Sequence, residues 1–238
     1  METDVRESSA TARRRNVSSP VAEPGPVLYD RSSMPAQFMV EIPGQTEDDF
    51  FQFAPPSKFC ELIDGVVYMP SPVENQHQLI TLFLYDLIHR HCEDRDGGVV
   101  LTGPAVLKLR NGRLVEPDIF VMPPDSVERI KKDHSLGPAA LVIEVLSPSN
   151  RAHDLVLKSR LYRNDGIPEI WFVDHHDEVL IVERNEGGRY RKIHLESGRL
   201  DSLGVPGFGI ELDWLWEQPL PKTSACYRKS SRGPKRSR

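Results

Sequence analysis

From residue 58 onward the chain alternates short apolar runs with turn residues, broken twice by stretches of helical period. In "KFCELIDGVVYMP" two runs flank Asp64-Gly65, a hairpin signal because both turn positions tolerate positive φ. "SPVENQHQLITLFLYDLIHRHCEDRDGG" carries an apolar stripe of Ile80, Leu84, Leu87 and Ile88, widened by Leu79, Leu82 and Phe83. It predicts a helix with Pro72 near its start and Gly97-Gly98 at its stop. "GVVLTGPAVLKL" and "RLVEPDIFVMP" predict strands around a second turn at Asn111-Gly112. After a loop through Asp133 and Gly137, "AALVIEVLS" predicts another. A helix over about 151 to 164 follows, capped by Ser149 or Asn150 and closed near Gly166. "EIWFVD", "EVLIVER" and "RYRKIHL" read as strands, and "GFGIELDWLW" as a strand running into a short helix or loop. This order predicts an α/β fold in which a mixed β-sheet is flanked by α-helices. The strand around residue 144 is apolar on both faces and should be central.

The ends lack such patterning. Residues 1–45, rich in Ser, Pro, Ala and charge, read as a disordered N-terminal segment, and residues 222–238 as a basic disordered tail. One domain is expected over 46–221. The tail holds seven Lys or Arg and no acid, leaving 23 basic against 35 acidic residues before it. An acidic body argues against DNA binding by charge alone. No apolar run reaches the ~18 residues of a transmembrane helix, and the N-terminus lacks the apolar segment of a secretory signal. Three cysteines without disulfide or metal spacing fit a reducing cytoplasm, so a cytoplasmic location and no membrane partner are expected.

The chemistry concentrates where charge interrupts apolar runs. Glu144 lies inside "PAALVIEVLSPSN" and Asp118 leads into "IFVM". A buried carboxylate needs a partner. If the two strands are neighbours, the two acids repel unless a divalent cation joins them, and carboxylate oxygens suit Mg²⁺ or Mn²⁺. At 3.6 residues per turn, Lys158 shares the sheet-facing side of its helix with Leu157, Leu161 and Tyr162, while Ser159, Arg160 and Arg163 take the other side. Asp154 is placed to pair with Lys158 at i, i+4. Two readings remain open on spacing alone. One is a metal-assisted phosphodiesterase site in which Lys158 positions or deprotonates water. The other is a structural Glu144–Lys158 ion pair, with Asp118 merely ending a strand. His175, His176 and Asp177 read as turn residues, and Tyr162 and Trp171 as core.

Taken in order, "ELIDGVVYMPSP", His77, "EPDIFV", "LVIEVLSPSN" and "HDLVLKSRLYRNDGIPEIWFVD" resemble the Uma family of restriction-endonuclease-like proteins, within the PD-(D/E)XK nuclease superfamily. The resemblance spans about residues 51 to 184. It implies a restriction-endonuclease-like core, catalytic Asp118, Glu144 and Lys158, and accessory Glu61, His77 and Asp154. Asp118 and Glu144 would hold Mg²⁺ or Mn²⁺, with His77 as a further candidate ligand. Leu146 stands where the superfamily pattern has lysine, so the ammonium would come from Lys158 on the next helix. The implied activity is metal-dependent endonucleolytic hydrolysis of DNA, by a homodimer because one site breaks one strand. The alternatives are a module on the same fold that binds nucleic acid or protein without cutting, and a carboxylate-pair hydrolase acting on sugars without metal.

Overall fold

The computed structural model describes residues 40–53, 59–70, 72–148 and 151–230, with the side chain of Phe53 left aside. Strand β1 (Val40–Pro43) leads to helix α1 (Glu47–Phe53), which sequence periodicity had not indicated. Its start is a reciprocal cap. The Thr46 hydroxyl accepts the Asp49 N–H at 3.2 Å, and the Asp49 carboxylate accepts the Thr46 N–H at 2.9 Å. Strands β2 (Glu61–Ile63) and β3 (Val66–Met69) form the expected hairpin, with Asp64 at φ 51° and Gly65 at φ 83°.

Helix α2 (Asn75–Glu93) buries Ile80, Phe83, Leu84, Leu87 and Ile88. Leu79 and Leu82, expected to widen that side, are instead about half exposed. They lie roughly 140° or more from the stripe's centre at 100° per residue, beyond the reach of the sheet. Strands β4 (Val99–Thr102), β5 (Leu107–Lys108), β6 (Leu114–Val115), β7 (Ile119–Met122), β8 (Ser135–Leu136) and β9 (Leu141–Val145) follow. A π-helical turn, His153–Lys158, then runs into α3 (Ser159–Asp165). The chain continues through β10 (Glu169–Asp174), β11 (Val179–Glu186), β12 (Arg189–Leu195), β13 (Arg199–Asp201) and β14 (Gly209–Glu211) to α4 (Asp213–Trp216) and α5 (Thr223–Ser230).

The strands form two six-stranded mixed sheets, ordered β1-β3-β2-β6-β5-β8 and β12-β11-β10-β9-β7-β4, with β13 and β14 paired apart. β9 is interior to its sheet, parallel to β10 and antiparallel to β7, and all five of its residues are buried. Its two faces join different cores. Leu141, Ile143 and Val145 pack with α2, whereas Val142 and Leu146 pack with Phe120, Phe172, Leu161 and Tyr162. Glu144 projects to the second face, because side chains alternate along a strand. That face is shared with the π turn and α3.

The domain limits differ from the expected ones at both ends. Val40–Pro43 pairs with β3, so the folded chain begins before residue 46. Residues 223–230, expected in the disordered tail, form α5 against α2, with Cys226 buried and Tyr227 donating to the Arg90 carbonyl at 3.2 Å. Two apolar anchors outweigh the tail's basic composition there. The remainder of both expected disordered segments lies outside the described residues. All three cysteines are buried. Among the described residues, no helix is long and apolar enough to cross a membrane.

Candidate active site

The register places the two acids first. β7 pairs with β9 through Ile119↔Ile143 and Phe120↔Val142, so Asp118, just before β7, and Glu144, just after Ile143, stand at adjoining ends of the paired strands, near enough for the Asp118 charge to raise Glu144. Asp118 is held from several directions. Its Oδ2 accepts the Val145 N–H at 2.7 Å and lies 3.2 Å from His77 Nε2, while its carbonyl accepts the Thr102 hydroxyl at 2.7 Å. His77 sits on the buried stripe of α2, within the first turn, which brings its ring to the strand end.

Lys158 closes the π-helical turn. A π turn is a rare interruption of regular helix, frequent at functional sites. Here its ammonium is 3.0 Å from Glu144 Oε1, 2.8 Å from Glu61 Oε1 and 3.3 Å from Asp154 Oδ1. Glu61 arrives from β2, so the sheet without β9 also supplies an acid to the pocket. Its other oxygen lies 3.1 Å from His153 Nε2, and its Oε1 also accepts the Glu116 N–H at 3.2 Å. The Tyr162 hydroxyl donates to Glu144 Oε1 from the following turn. Glu116 accepts the Cys60 N–H at 3.0 Å. Leu146, at the position where a lysine would follow Glu144 in the nuclease pattern, is packed in the core.

The six expected residues thus fall into two neighbouring groups. Glu61, Glu144 and Asp154 surround Lys158, and His77 contacts Asp118. The Asp118–Val145 hydrogen bond ties the second group to the strand that carries Glu144. Three contributors escaped the sequence: Tyr162, read as core, His153 and Glu116. Ser159 was expected outside, yet it is buried and donates to Glu183 Oε2 at 2.8 Å, because β11 flanks that side of α3.

Charge is unbalanced in this pocket. Burial pushes the Glu144 carboxyl well above its ordinary 4.5, with Lys158 opposing and Asp154, Asp118 and Glu61 reinforcing. Burial also raises Asp154 to about 6 despite Lys158. Glu116 rises to about 7 through burial and the neighbouring Glu61 charge, although the Cys60 N–H favours its ionised form. Glu61 goes the other way: burial raises it, but Lys158 and His153 outweigh that and hold it at about 2. Lys158 loses hydration, which lowers it, yet the three carboxylates keep it well above 10.5 and hence an ammonium.

These shifts set the pH response of the metal-free protein. Glu61 contributes stability that is complete above its ordinary 4.5 and lost as pH falls toward about 2. Asp154 and Glu116 act oppositely, since the fold takes up their protons between about 7 and about 6, before the unfolded chain would. With a chelator present, the urea midpoint should therefore rise as pH falls from about 8 to about 5, then drop below about 4.5. A midpoint climbing steadily toward alkaline pH would contradict this.

The family described as "Uma2: Putative restriction endonuclease" matches residues 47–214. "Uncharacterized protein slr1290" of Synechocystis sp. is 26% identical over 156 residues, covering 63% of this chain and 78% of that protein. The crystal structure of "a putative nuclease belonging to DUF820" from Anabaena variabilis superposes with a TM-score of 0.61 at 14% identity, covering 72% of this chain and 97% of that one. At that identity the likeness is one of fold.

Proposed function

This chain belongs to the Uma2 family, and we propose that it is an endonuclease that hydrolyses DNA phosphodiester bonds with Mg²⁺ or Mn²⁺ held by Asp118 and Glu144. The observation carrying this reading is the surplus of carboxylates around a single buried ammonium. Glu61, Glu144 and Asp154 meet Lys158, and the Asp118 charge lies near enough to act on Glu144. Such a donor set fits a hard divalent cation, which would offset both the burial that chiefly raises Glu144 and the neighbouring acids that add to it. When bound, the ion supplies Lewis-acid polarisation of the phosphate and neutralises developing charge.

The remaining work falls to the chain. His77 orients Asp118 through Nε2 and, with that nitrogen engaged, acts as a support rather than a ligand. Lys158 stabilises negative charge on the phosphate as water attacks in line and the P–O bond to the leaving oxygen breaks. It does not serve as the base, since its ammonium form is strongly favoured. Tyr162 and Asp154 fix the Glu144–Lys158 pair. One site breaks one strand, so cutting a duplex through calls for two copies of the chain.

The test is conversion of supercoiled plasmid to the nicked form, with Mg²⁺, Mn²⁺ or chelator. Metal-dependent nicking that disappears in Glu144→Gln supports the proposal. Activity that survives chelation rejects the metal. Failure to cut either DNA or RNA with both ions, together with calorimetric Mn²⁺ binding, would make the protein a non-cleaving module.

A further inference from the structure

Outside this pocket, three side chains from distant segments meet with ligand spacing. Glu74 stands immediately before α2, and His175 and His176 occupy the turn after β10. Glu74 Oε2 lies 3.7 Å from His175 Nε2 and 3.4 Å from His176 Nε2. One donor atom from each residue fits within 4.8 Å of the others. A tetrahedral ion with ligands at about 2.0–2.1 Å requires them about 3.3–3.5 Å apart. His175 supplies an independent sign. Its side chain is only 6% exposed, and among the described residues neither ring nitrogen has a hydrogen-bond partner. A buried imidazole left in that condition is costly unless something else takes its lone pair. The two rings are 4.1 Å apart, so both are already gathered at one spot.

We infer that Glu74, His175 and His176 form a second metal site, selective for a borderline transition ion such as Zn²⁺ over Mg²⁺. Two imidazoles and one carboxylate are the donor set of zinc sites that keep a fourth position for water, whereas Mg²⁺ prefers oxygen alone. The site would pin the first turn of α2 to the β10–β11 turn. That turn of helix also carries His77, one turn beyond Glu74, so the ion would hold His77 against Asp118. The inference does not depend on the nuclease reading, because none of its ligands belongs to the Asp118–Glu144 pair.

Co²⁺ is the probe. The full-length chain, stripped with chelator and titrated with Co²⁺, should develop the intense visible absorption of a four-coordinate nitrogen-bearing site, and Zn²⁺ should displace it. Asp118→Asn should retain the spectrum. His176→Ala and Glu74→Gln alter exposed side chains, so the fold is expected to survive both. Each should weaken Zn²⁺ binding by on the order of 100-fold or more. A thermal midpoint raised by Zn²⁺ in the parent chain and not in His176→Ala would agree. Absence of the visible band, its persistence in His176→Ala, or its loss only in Asp118→Asn would each overturn the assignment.

Discussion

Lys158→Ala should cost so much stability that the protein largely unfolds. The ammonium is 6% exposed and lies within 3.3 Å of three carboxylates that are themselves at most 5% exposed. Removing one partner of a buried ion pair costs about 3–5 kcal/mol, because the remaining charge stays desolvated and unpaired. Here one cation serves Glu61, Glu144 and Asp154 together, so the upper end is expected. A typical domain has only about 5–15 kcal/mol in hand. Without Lys158, the chief influence holding Glu61 at about 2 disappears, Glu144 loses the charge opposing its rise, and Asp154 keeps only the weaker opposition of His153. Urea denaturation near neutral pH checks this, and the loss should shrink at about pH 5, where the acids can protonate. An unchanged midpoint would mean that water reaches the pocket and the ion pairs are surface-like. It follows that an inactive Lys158→Ala says little about chemistry.

Asp118→Asn should do the reverse, leaving the fold standing and cutting the nicking rate by on the order of 10³. Polarisation and charge neutralisation by a divalent ion are worth several kcal/mol, and each 1.36 kcal/mol is a factor of ten. The asparagine keeps an oxygen for the Val145 N–H, now accepted at 2.7 Å, and the residue is not deeply buried, its side chain being 17% exposed. The stability change should therefore stay within about 1 kcal/mol. Alanine would be a poorer choice, since it strands both the Val145 N–H and His77. Plasmid nicking and urea denaturation on the same preparation separate the two effects. A variant that still cuts at a tenth of the parent rate would remove Asp118 from the metal's coordination.

The neighbourhood of Asp118 and Glu144 was legible because each acid adjoins an apolar run, and the two runs pair as β7 and β9. The i, i+4 spacing of Asp154 and Lys158 was equally local, and so was the inward direction of Lys158 among apolar neighbours. What periodicity could not carry was contact between elements far apart in the chain. Glu61 reaches Lys158 from another sheet, and it was named only through family resemblance. Its partner His153 and the neighbouring Glu116 had no pattern at all. Tyr162 matched a core position and occupies one, but its hydroxyl meets Glu144 because the helix packs on that strand.

The amino-acid order alone determined the β2–β3 hairpin, α2, the central strand, the strands after it and the two acids that interrupt apolar runs, since alternation and helical period are properties of a few consecutive residues; β1, α1 and α5 were not among them. Only the folded chain decided that the surface-looking pair His175-His176 meets Glu74 across a hundred residues, that Leu79 and Leu82 face outward, and that a π turn presents Lys158 to three acids at once. Those outcomes depend on how sheets and helices stack, and stacking is a global balance of burial against desolvation that no short window of sequence contains.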